Sequence, residues 1–113
     1  MKRTDDLRIA QTKELISPVH IHEQFPLTDK AADTTAQARS EIEAVMAGED
    51  DRLVAIVGPC SIHDPKSALE YAGRLAELKQ ELQNELVIVM RVYFEKPRTT
   101  VGWKGLINDP DLN

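Results

Sequence analysis

Cysteine is nearly absent: Cys60 is the only one in 113 residues. That excludes an internal disulfide framework and a closed structural zinc site of the multi-cysteine kind. No apolar run approaches membrane-spanning length. Met1-Lys2-Arg3 suits the start of a signal peptide, but Thr4-Asp5-Asp6 stands where its apolar segment belongs. Positive charge is in deficit, with 14 Lys and Arg against 19 Asp and Glu, a net of −5. The resulting pI near 5.1 argues against general binding to nucleic acid or anionic membranes. No Walker loop, dinucleotide fingerprint, internal repeat or low-complexity tract is found. What remains is an ordinary 42% of apolar residues, enough for one soluble, cytoplasmic domain with a modest core.

Residues 1–30 are polar and irregular, broken by Pro18 and Pro26, with short apolar clusters such as Val19 and Ile21. They read as an arm that lies on something else. Thr28-Asp29-Lys30 opens a helix whose apolar positions are Ala38, Ile42, Val45 and Met46. Gly48 is placed to end it. Leu53-Val54-Ala55-Ile56-Val57 is a continuous apolar run, the pattern of a strand covered on both faces in a parallel sheet. Asp64 and Pro65 then form an N-cap and first helical position. The helix behind them carries Leu75, Leu78 and Leu82 on one face, with Leu69, Ala72 and Ala76 alongside, and ends near Gln83-Asn84. A second apolar run, from about Leu86 to Val92, completes a right-handed βαβ unit. The expected division is an arm-and-helix extension over 1–50 and a βαβ portion over 51–113.

In a parallel βαβ unit both strand-to-helix loops emerge at the carboxyl edge, where α/β sheets bind ligands. Here those loops are Gly58-Pro59-Cys60-Ser61-Ile62-His63-Asp64 and the stretch from Arg91 to Gly105. Between Arg91 and Lys104, four basic residues face one acid, Glu95. That +3 window leaves −8 for the rest of a chain whose total is −5. A cationic island in an acidic chain suits an anion such as phosphate or carboxylate, although a solvated basic loop has the same composition. Pro97 forces Lys96 towards extended geometry, and Gly102 and Gly105 allow close backbone approach. Trp103 reads as an anchor for the loop.

Cys60 admits three readings: a small buried hydrophobe, a thiolate metal ligand, or a nucleophile paired with a base. His63 could serve as ligand or base, or help Asp64 orient the loop. His20 and His22 sit in the arm and receive no role.

The heptapeptide Gly58–Asp64, together with Arg91-Val92-Tyr93-Phe94-Glu95-Lys96-Pro97-Arg98-Thr99-Thr100-Val101-Gly102-Trp103-Lys104-Gly105, closely resembles the class I 3-deoxy-7-phosphoheptulonate (DAHP) synthases. The likeness runs from Asp5-Asp6-Leu7-Arg8 to Asn108-Asp109-Pro110. It implies an α/β fold, the first two strands of a (β/α)₈ barrel behind a helical N-terminal extension. The implied reaction condenses phosphoenolpyruvate with erythrose 4-phosphate and releases phosphate, opening the shikimate route to aromatic amino acids. Cys60 then looks like a ligand of a catalytic divalent metal that polarises the aldehyde. Arg91 and Lys96 look like phosphoenolpyruvate contacts, with Lys96 the catalytic candidate and Lys104 adding to that anion site. Pro97, Arg98 and Thr99 resemble the segment that holds erythrose phosphate. Asp5 and Asp6 resemble part of a feedback site for an aromatic amino acid, most like the phenylalanine-regulated form, in a family that forms dimers or tetramers.

The resemblance also implies six later strands and further metal ligands, a His, a Glu and an Asp, beyond Asn113. The expectation is therefore an amino-terminal piece that is inactive and poorly stable alone, with its metal site incomplete. Two alternatives stand beside it: a regulatory or interaction partner of a full-length synthase, and another phosphate-binding α/β enzyme built from several chains.

Overall fold

The computed structural model describes residues 11, 13–95, 102, 103, 105–107 and 109–111. They contain three helices and two parallel strands, an α/β arrangement. The chain divides into two compact units, one reaching Asp33 and the other beginning at Thr34.

In the first unit the reading of an irregular arm needs correction, because residues Pro18–Gln24 form a helix, α1. Pro18 occupies its first turn, where a missing N–H costs nothing. Seven residues with none buried leave no apolar stripe for a periodicity reading to detect. Leu15 (92% exposed), Ile16, Val19, Phe25 and Leu27 all face outward, so the arm does not bury itself.

Helix α2, Asp29–Met46, begins where expected, and Thr28 Oγ1 accepts the Ala31 N–H at 3.1 Å. It closes in paired bonds, Gly48 N–H to the Val45 carbonyl (3.1 Å) and Glu49 N–H to the Ala44 carbonyl (2.9 Å). This is the Schellman pattern, with Gly48 at C′. Ala38, Ile42 and Val45 are half-buried as the periodicity implies, but Met46 is exposed. At the last turn nothing described packs over Met46.

Strand β1, Leu53–Val57, pairs in parallel with β2, Leu86–Met90, in a register running from Leu53 opposite Leu86 to Val57 opposite Met90. The ladder continues past β2, since Arg91 N–H donates to the Val57 carbonyl at 2.7 Å. Helix α3, Pro65–Glu81, makes the crossover and packs on β2. Asp64 caps it, accepting from Lys66 N–H (3.1 Å), Ser67 N–H (3.2 Å) and the Ser67 hydroxyl (2.6 Å).

The buried core among the described residues is Val87 (2% exposed), Ile88 and Ile62. Val87 and Ile88 lie on opposite faces of β2, so that strand is covered on both sides. β1 is not: Leu53 and Ile56 are 71% and 69% exposed. The expectation that both strands are covered therefore holds for one of them here. In α3 the half-buried positions are Ala68, Ala72, Leu75 and Lys79, joined by Leu82 at its C-cap, while Leu69 and Leu78 are exposed. A two-stranded sheet offers this helix only a narrow bed, and the flanking leucines fall outside it.

Candidate functional site

Two segments meet at the carboxyl edge of the sheet. The first leaves β1 at Gly58 and runs to Asp64. The second leaves β2 at Arg91 and is described as far as Glu95. Their meeting is enforced by the backbone. Beside the Arg91–Val57 bond, Ile62 N–H donates to the Tyr93 carbonyl at 2.6 Å, and Ile62 is buried. Gly58 sits at φ +147°, and a Cβ there would lie 2.8 Å from the Arg91 carbonyl oxygen. Only glycine lets the two segments approach this closely.

The side chains complete the contact. The Arg91 guanidinium donates to the Cys60 carbonyl through Nε (3.3 Å) and Nη2 (3.2 Å). Its Cζ stands 5.0 Å from the centre of the Tyr93 ring, within cation–π range. Cys60 and Arg91 are thus neighbours, as the sheet topology implies. Cys60 is exposed among the described residues rather than packed as a small buried hydrophobe. Hydrogen bonds from the Ser67 hydroxyl, then from the Lys66 and Ser67 N–H groups, hold Asp64 below the usual carboxylate range. Asp64 is therefore occupied as a helix cap, while His63 is exposed.

Lys96, Pro97, Arg98, Thr99 and Lys104 lie outside the described residues, as do Asp5 and Asp6. Beyond them, Trp103 acts as the expected anchor: its Nε1–H donates to the Asp109 carbonyl at 2.6 Å. Gly105 serves its own chain, because a Cβ there would meet Glu95 Oε2 at 2.6 Å and the Phe94 carbonyl at 3.0 Å. Leu106 N–H donates to that same Phe94 carbonyl at 3.0 Å.

An open cavity of about 330 Å³ lies on the flank of the first loop, between Pro59, Ile62 and the first turns of α3 at Ser67 and Tyr71. Neither Cys60 nor Arg91 lines it. Among the described residues no three of His, Cys, Asp or Glu converge as a metal site. Cys60 is a single exposed donor, and these residues do not by themselves fit a resident metal. Sequence reasoning missed Tyr93, although the Arg-x-Tyr spacing after an apolar strand was its available signal, since residues i and i+2 share a face of extended chain. Among the described residues no helix is long and apolar enough to cross a membrane.

Comparison with known proteins bears on this edge directly. The chain is 61% identical to the Phe-sensitive phospho-2-dehydro-3-deoxyheptonate aldolase of Escherichia coli K12, across 98% of this chain and 32% of that protein. It is 53% identical to the Trp-sensitive protein of the same strain, across 100% of this chain and 32% of that one. The structure superimposes with a TM-score of 0.83 and 48% identity on phospho-2-dehydro-3-deoxyheptonate aldolase from Francisella tularensis SCHU S4, covering 93% of this chain and 31% of that one. The chain therefore spans about a third of the length of the relatives it matches. Residues 22–113 match the model of the DAHP synthetase I family, taking in both loops of the carboxyl edge, and the chain belongs to that family.

Proposed function

We propose that these residues are the amino-terminal part of a 3-deoxy-7-phosphoheptulonate synthase, which joins phosphoenolpyruvate to erythrose 4-phosphate and releases inorganic phosphate. The observation that carries the proposal is the joining of the Cys60 loop to Arg91 at the carboxyl edge of a parallel pair, in a chain of this family. The same parallel pair, with its crossover helix, supports placing 51–113 as the first portion of a (β/α)₈ barrel and 1–50 as an extension before it.

Both substrates are phosphate esters and one is also a carboxylate, so the main task at this edge is to bring two anions together. Arg91 presents a forked donor edge beside Cys60, and Lys96 and Lys104 add point charges to the phosphoenolpyruvate side. Pro97, Arg98 and Thr99 hold the erythrose phosphate. In the condensation, C3 of phosphoenolpyruvate forms a bond to the aldehyde carbon. Water then adds at C2, and phosphate departs by C–O cleavage. Cationic groups held in place before the reaction favour its charge distribution without having to reorganise. Cys60 would contribute one thiolate to a divalent metal site whose other ligands come from elsewhere in the whole protein, and a metal bound there would supply Lewis-acid polarisation of the carbonyl.

An aromatic amino acid, phenylalanine, is the proposed effector, with Asp5 and Asp6 in its site, and the complete protein is a cytoplasmic homo-oligomer of two or four chains. Relatives named Phe-sensitive and Trp-sensitive support an aromatic effector.

The test is release of phosphate from phosphoenolpyruvate by the complete protein with divalent metal, with and without erythrose 4-phosphate. Release that requires the aldose, and is inhibited by phenylalanine in the native protein but not in Asp5→Ala or Asp6→Ala, is expected. No release with erythrose 4-phosphate would overturn the reading. The 113-residue chain made alone is expected to give none.

A further inference from the structure

We infer that Tyr93 is a positioning residue, holding the Arg91 guanidinium in the pose that accepts an anion, an inference that rests on reading this edge as a phosphoenolpyruvate site. Arg91 and Tyr93 follow β2 at a spacing that puts both on one face of extended chain, and Cζ lies 5.0 Å from the ring centre. The guanidinium carbon thus sits over the face of the ring. The Cys60 carbonyl takes Nε–H and one Nη2–H. Of five N–H donors, those without a partner among the described residues are the pair on Nη1 and the second on Nη2. One Nη1–H and that second Nη2–H form the outer fork, the edge that matches two oxygens of a phosphate or carboxylate.

An exposed arginine normally has to be ordered when its ligand binds. Here the ordering is done beforehand, by a carbonyl along one edge and an aromatic face below. Tyr93 is itself fastened, since its carbonyl accepts from Ile62 N–H at 2.6 Å and Ile62 is buried. Ring, guanidinium and Cys60 loop therefore form one assembly. The contribution comes from the ring face, so a phenylalanine should serve as well as the tyrosine.

In the complete protein, Tyr93→Leu should raise KM for phosphoenolpyruvate about three- to tenfold. Calorimetric affinity for inorganic phosphate competing with phosphoenolpyruvate should weaken by the same factor. KM for erythrose 4-phosphate and kcat should stay within about twofold, and Tyr93→Phe should restore all values. In an Arg91→Ala background, Tyr93→Leu should add nothing to the loss of phosphate affinity. Tyr93→Met, flexible and apolar but without an aromatic face, replaces the leucine variant if that fails to fold. Unchanged phosphoenolpyruvate KM and phosphate affinity in a folded Tyr93→Leu or Tyr93→Met protein would overturn the inference. So would a Tyr93→Phe protein as impaired as either. Absence of condensation in the native protein would remove the functional reading while leaving the phosphate comparison intact. Retained condensation with no phosphate effect would remove this inference alone.

Discussion

Arg52 and Arg91 stand at opposite ends of the same two strands, and their surroundings differ in kind. At the amino end, Arg52 is enclosed by acceptors. Its Nε bonds both oxygens of Asp50 (3.1 and 3.0 Å), Nη2 reaches Asp50 Oδ2 at 2.7 Å and Glu41 Oε1 at 3.5 Å, and Nη1 donates to the Gln83 carbonyl at 2.9 Å. It links α2, the turn before β1 and the turn before β2, and its charge is answered by carboxylates of its own chain. At the carboxyl end, Arg91 is held by a neutral carbonyl and a ring face, and among the described residues no carboxylate pairs with it. One arginine is used up by the fold. The other is fixed in place with its charge still on offer. That division, stability at one end of a parallel sheet and ligand binding at the other, is the general rule for barrel architectures.

The contrast is broken most sharply by Arg91→Ala in the complete protein. Loss of one positioned cationic donor should lower kcat/KM for phosphoenolpyruvate by about 10²–10³-fold while the unfolding midpoint barely moves. Steady-state kinetics beside denaturant melts would decide it. A comparable loss of stability with intact kinetics would reverse the assignment of the two ends. Gly58→Ala comes next, because its Cβ would meet the Arg91 carbonyl in a left-handed backbone region. It should cost about 1–3 kcal/mol in stability and also weaken phosphoenolpyruvate binding, coupling the two properties that Arg91→Ala separates.

Arg52→Leu should have the smallest effect on activity, leaving kcat/KM near native while lowering stability. Its effect should depend on pH. Hydrogen bonds from the Arg52 side chain, then from its backbone N–H, hold Asp50 below the ordinary carboxylate range. A depressed folded-state pKa gives stability that is present above the ordinary range and lost as pH falls through the folded value. The native protein should therefore lose this contribution on acidification below the carboxylate range, and the variant should show a shallower fall. Parallel acid-dependent melts of the two proteins would show the difference, and identical slopes would dismiss the Arg52–Asp50 contribution.

Much of this layout could be read from residue order. Two unbroken apolar runs, an Asp-Pro helix start and a closing Gly48 sufficed for β1, α2, α3 and β2, because each is a local signal. The meeting of Cys60 and Arg91 followed from parallel topology. What could not be read depends on tertiary neighbours. Met46, Leu69 and Leu78 fit apolar faces by spacing, yet whether a face is covered depends on what packs there. α1 has no buried stripe to betray it. The charge count singled out the segment containing Arg91, but no count distinguishes an arginine enclosed by carboxylates from one resting on a tyrosine.

Trp103 has a practical consequence. It is the only tryptophan in these 113 residues, it lies in the cationic stretch that begins at Arg91, and its indole N–H is tied to the Asp109 carbonyl beyond that stretch. The segment thus carries a built-in fluorophore. An anion that rearranges this stretch should disturb the indole hydrogen bond and shift its emission, giving an optical titration of the site without a label.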